Sequence, residues 1–201
     1  RITDEGMGHS ILLGYRVCGA EGLSQDYYAL WFLRDHLQTR LFEYVRNKGM
    51  LYTIDVIYTP FRHVGLFYVY VRYLKKGRRR LLKKIRQELQ GLRAQQMTPD
   101  AFRKTQEIIV SHWRQHLISN RDLADYYVTL VETRKDGGTM TDSVTAIERL
   151  TPEFVQSITE RYFRKERLFF VRSSWLDWFW AFIGLATLGV WVFQLFKKFG
   201  H

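Results

Sequence analysis

The sequence predicts an α+β domain, helices packed on a sheet, followed by one C-terminal transmembrane helix. Three observations carry this. Apolar spacing gives the element order β, α, ββ, α, α, α, α, β along the first part of the chain. Two of those segments alternate residue by residue, as strands do. From Trp178 to Phe196 nineteen residues pass without a charge, and Lys197-Lys198 follows. At about 1.5 Å per residue this run reaches roughly 28 Å, the thickness of bilayer hydrocarbon. Trp175, Trp178, Phe179 and Trp180 crowd one end like an interfacial belt. A buried core helix is the alternative, but nothing upstream offers enough apolar surface to enclose a helix apolar all round.

The divisions are therefore a linker at 1–9, a domain at 10–172 and the spanning helix at 174–198. Ser10–Val17 is a short apolar strand. CGAEGLS reads as a linker, and Ser24 or Asp26 caps a helix with Leu30, Leu33, Leu37, Leu41, Tyr44 and Val45 on one stripe, ending near Lys48-Gly49. Strands at Met50–Tyr58 and His63–Leu74 form a hairpin. Both faces of the second strand are largely apolar, as expected inside a sheet covered on both sides, or in one that meets a helix layer and a partner subunit. A helix from Gly77 to Gln95 turns Leu81, Ile85, Leu89 and Leu92 inward. Thr98-Pro99 starts the next, to about Ile118, by the cap-then-proline rule. Asn120 caps a helix to Thr133, Thr141–Arg149 forms a short one, and Thr151-Pro152 repeats the cap-then-proline start for a helix to Tyr162. Arg167–Val171 is the last strand.

The net charge of +11 is local, because residues 72–93 hold ten Lys/Arg against one Glu, leaving +2 for the remainder. This patch reads as the solvated back of a packed helix, as an anionic-lipid contact through Lys75, Lys76, Arg79, Arg80 and Lys83, or as a nucleic-acid site. Each cation near an anionic bilayer adds roughly 1 kcal/mol. No aromatics interleave and no reading motif is present, so no nucleic acid partner is expected.

Catalytic patterns are nearly empty. Cys18 is the sole cysteine, which excludes an internal disulfide and a cysteine metal cluster. His112 and His116 stand at i and i+4, but the intervening Trp-Arg-Gln supplies no carboxylate, so neither zinc-protease helix motif is present. His63 has no acidic neighbour in sequence, and His36, beside Asp35, falls in no recognisable catalytic pattern. Arg1 opens the chain without Met, which points to a removed leader or a longer precursor. Export through a leader favours a bacterial inner-membrane protein with its domain in the periplasm; the charges flanking the helix do not fix its orientation.

Gly14-Tyr15, then Asp26-Tyr27-Tyr28-Ala29-Leu30, Thr39-Arg40-Leu41-Phe42-Glu43-Tyr44-Val45-Arg46 and Lys48-Gly49-Met50-Leu51-Tyr52-Thr53-Ile54 together form a pattern. It resembles the second, non-metal-binding half of the M16 (insulinase, pitrilysin, mitochondrial processing peptidase) family, over about residues 10–172. Leu150-Thr151-Pro152-Glu153-Phe154-Val155 is similar to a later helix start of that family. Thr39 stands where Ser is common, and Met50-Leu51 where Leu-Ala is. The resemblance implies a mixed sheet with helices on one face, used in pairs that close around an unfolded peptide. It implies a partner lobe, either upstream in the same precursor or on a separate chain, that carries His-x-x-Glu-His and zinc. No cofactor is expected in this chain, which lacks that motif. Arg46 and Tyr52 fall on the family's two substrate-contacting positions and would donate toward a developing oxyanion. The alternative is a purely structural subunit of a membrane complex.

Overall fold

The computed structural model describes residues 9–47, 53–73, 78–116 and 140–173, with scattered positions between 120 and 128. Strand β1 (His9–Cys18) leads through a 3₁₀ turn at Glu21–Leu23 into α1 (Gln25–Asn47). The hairpin β2 (Thr53–Pro60) and β3 (Val64–Tyr73) follows. Then come α2 (Arg78–Ala94), α3 (Pro99–His116), α4 (Met140–Glu148), α5 (Pro152–Tyr162) and β4 (Leu168–Ser173). The helix expected between Asn120 and Thr133 lies largely outside the described residues. So does all of 174–198, where the spanning helix was expected; among the described residues no helix is long and apolar enough to cross a membrane.

The sheet order is β2-β3-β1-β4. Every described pairing is antiparallel, which corrects the expectation of a mixed sheet. The reason is topological. β1 and β2 do run parallel, with α1 as their crossover, but β3 inserts between them and pairs antiparallel with each, a split βαβ arrangement. The segment read as a linker is tied to the hairpin: Ala20 N–H donates to Phe61 O at 2.8 Å and Glu21 N–H to Arg62 O at 2.9 Å.

Alternation divides the sheet into two faces. Ile11, Leu13 and Val17 of β1, with Phe67, Val69 and Val71 of β3, are buried beneath the helices. Each such side chain contributes about 1.5–3 kcal/mol of burial. The stripe Leu30, Leu33, Leu37, Leu41 and Val45 of α1 meets them, and α2 turns Leu81, Ile85, Leu89 and Leu92 into the same core, on the predicted spacing. Phe32 of α1 stacks on Phe102 of α3 with centroids 4.7 Å apart. Thr151 caps α5, accepting from Phe154 N–H at 3.2 Å, with Pro152 in the first turn as expected.

The opposite face has no such cover. Across it the register aligns Phe169, Gly14, Tyr68 and Ile57 in one row, and Val171, Leu12, Tyr70 and Asp55 in the next. Apart from Gly14, these residues are half-buried or exposed, so no described element seals them. Gly14 is where two backbones meet: a Cβ there would lie 2.3 Å from Phe67 O and 2.4 Å from Tyr68 Cβ.

Candidate functional site

Arg46 sits in the last turn of α1, one residue past buried Val45 and therefore off the packed stripe. It is exposed and has no ion pair among the described residues, so its guanidinium is offered outward. Tyr52 lies outside the described residues, immediately before Thr53 opens β2. The structure thus brings Arg46 to the end of α1 that leads into β2, and leaves its pairing with Tyr52 undescribed.

The neighbouring edge of β2 is not free. Gln38 of α1 accepts from Val56 N–H at 2.6 Å and donates from Nε2 to Ile54 O at 3.2 Å. Arg34 Nε donates to Val56 O at 3.1 Å. These side chains occupy the outward backbone groups by which an added strand would pair. Nothing in the hydropathy pattern distinguishes Gln38 and Arg34 from ordinary polar helix residues, and the sequence reading missed them.

Among the basic residues, Arg79, Arg80 and Lys83 are exposed on the outer side of α2, and Lys75 and Lys76 lie outside the described residues. The patch is not uniformly solvated, however. Lys84 bonds to Glu88, which is only 5% exposed and also takes Arg40 Nε at 2.8 Å. Lys84 also lies over the Tyr44 ring, 5.3 Å from its centroid. The i, i+4 spacing of Lys84 and Glu88 was the available signal for this pair.

The titratable groups among the described residues make contacts within the fold. Burial pushes the Cys18 thiol up, away from a reactive thiolate. Tyr58 donates to Cys18 O at 3.1 Å, and burial raises that phenol too. Asp26 accepts from Tyr162 Oη at 2.8 Å and Arg161 at 2.7 Å, tying the start of α1 to α5. His63, without an acidic neighbour in sequence, finds Glu21 at 2.8 Å on the surface. His112 is exposed. Among the described residues no cluster has the ligands to hold a metal ion. The sequence holds no His-x-x-Glu-His, the motif by which an M16 active site binds zinc.

His36 is buried on α1. Thr105 Oγ1 donates to Ala101 O at 2.8 Å, so it accepts from His36 Nδ1–H at 3.1 Å. The other ring nitrogen, Nε2, is buried without a hydrogen-bond partner among the described residues. Burial first, then the Arg40 charge, lowers its pKa to about 4, with Glu88 opposing.

The described residues form an α+β lobe with helices on one sheet face and no described element over the other. Residues 1–109 match the family model described as the peptidase M16 inactive domain, and the chain belongs to that family. A protease from Helicobacter pylori superposes with a TM-score of 0.73 at 18% identity, over 85% of this chain and 42% of that one. The inactive peptidase domain of a Bordetella parapertussis protein gives 0.65 at 15% identity, over 84% and 91%. A chain of complex III2 from Candida albicans gives 0.67 at 10% identity, over 85% and 44%. At these identities the likeness is one of fold. The chain spans less than half the length of the Helicobacter protease. Comparison with curated proteins gives no match.

Proposed function

We propose that this chain is a membrane-anchored, non-catalytic M16 lobe whose open sheet face closes against a second M16-like lobe. The observation that carries this is the face of Leu12, Ile57, Leu66, Tyr68, Tyr70 and Phe169, largely apolar with Arg16 and Asp55 among them, which no described element covers. A largely apolar face of this kind with a few polar residues marks an interaction surface. In this reading the uncharged run Trp178–Phe196 is the anchor, in an inner membrane, with the domain in the periplasm. In this reading the partner supplies His-x-x-Glu-His and zinc, and Arg46 with Tyr52 donates to the backbone of a peptide held between the lobes. Arg79, Arg80 and Lys83, with Lys75 and Lys76, rest against anionic headgroups.

A second reading, a scaffold without proteolysis, is supported by the likeness to a chain of complex III2. One experiment separates the two. The chain is co-expressed with its neighbouring coding sequence, extracted in detergent, and assayed for subunit mass and bound zinc. A paired complex with zinc in a His-x-x-Glu-His partner supports the clamp; a partner without that motif supports the scaffold. Ile57→Lys on the open face should release the partner while the chain keeps its circular dichroism. A monomer, or pairing untouched by Ile57→Lys, overturns both.

A further inference from the structure

On the helix side of the sheet, α2 stands away from β4 and leaves a cleft of about 640 Å³. Its floor is apolar: Tyr15 and Phe163 stack with centroids 4.9 Å apart, beside Leu89 and Leu168. Each ionisable side chain around the rim, Arg86 and Arg93 of α2 and Lys165 of the turn before β4, is a cation. None of the three makes an ion pair among the described residues, and all are exposed. Arg86, Gln90 and Arg93 recur at four- and three-residue steps, which aligns them along one side of the opening. A volume in this range suits a small organic ligand, and an apolar floor under convergent charges is the usual build of such sites. The Arg93 charge also reaches inward, where it opposes the rise that burial imposes on the Tyr15 phenol.

We infer that this cleft binds an anionic amphiphile, its apolar chain on the Tyr15–Phe163 floor and its carboxylate between Arg86, Arg93 and Lys165. Three cations without an ion pair among the described residues around one opening favour an acidic headgroup, while its tail leaves water. The site is separate from the open sheet face, and the inference does not depend on lobe pairing.

The test uses the full chain in neutral phosphatidylcholine nanodiscs, titrated with radiolabelled decanoate or decanol against empty discs. Decanoate should bind saturably at one per chain, at least tenfold tighter than decanol. Arg86→Glu and Arg93→Glu, both at exposed positions, should each weaken decanoate at least tenfold. Lys104→Glu, an equal charge change on α3, should not. Equal binding of decanol, equal effects of all three reversals, or uptake matching empty discs would overturn the site. Capture of an apolar-ended peptide in place of decanoate would overturn the assignment to amphiphiles.

Discussion

Gln38 and Val56, eighteen residues apart, are joined by a 2.6 Å hydrogen bond from the β2 backbone to the α1 side chain. With Ile54 O also taken, Gln38 acts as a substitute strand along the sheet edge. Gln38→Ala should therefore cost about 1–2 kcal/mol, since it strips two partly buried backbone groups of their partner. In a domain of this size that lowers Tm by roughly 2–4 °C per kcal/mol, readable by thermal circular dichroism in detergent. The variant should also self-associate more readily through the freed edge, visible by light scattering. An unchanged Tm would deny the edge-blocking role.

Glu88 is the buried counter-charge of the basic helix. Glu88→Gln keeps the shape but leaves Lys84 and Arg40 facing a neutral amide, and should destabilise the fold by about 1–3 kcal/mol. Urea denaturation measures it. Arg40, half exposed, should matter less: Arg40→Gln is expected to cost under about 1 kcal/mol.

His36 predicts an acid-sensitive fold. Its folded pKa is depressed from 6.5 to about 4, so the unfolded chain takes up the proton first as pH falls. The contribution is fully present above about pH 6.5 and is lost progressively between there and about 4, up to about 3 kcal/mol. His36→Gln should flatten stability against pH across that window. Parallel curves for the two proteins would show that the ring does not titrate as described.

Arg46 gives the functional prediction. If the paired lobe holds zinc, Arg46→Ala and Tyr52→Phe should each lower peptide turnover by about 10²-fold, the scale of removing one oxyanion donor. Assembly, followed by size-exclusion chromatography, should stay intact. Unchanged turnover in both would end the substrate role.

Periodicity made the core legible. The α2 stripe Leu81, Ile85, Leu89 and Leu92 and the Thr151-Pro152 helix start came straight from spacing and capping chemistry, both of which act within a few residues. Strand direction did not, because β3 enters between β1 and β2, a choice made by long-range packing that no local pattern encodes. The same holds for the pairing of Glu88 with Arg40, forty-eight residues apart, and for His63, whose partner Glu21 stands forty-two residues away. Arg46 was legible only through resemblance, since an exposed arginine at a helix end carries no signal of its own.

In the β1–β4 ladder, Ser10 faces Ser173, so the chain enters and leaves the described sheet at one end. A force drawing those two exits apart meets the hydrogen bonds in single file, opening the ladder like a zipper, whereas a sliding load would strain all of them at once. Tension carried through residue 173 therefore peels β4 first, and frees the backbone edge of β1 between Ser10 and Tyr15 before the helices are disturbed.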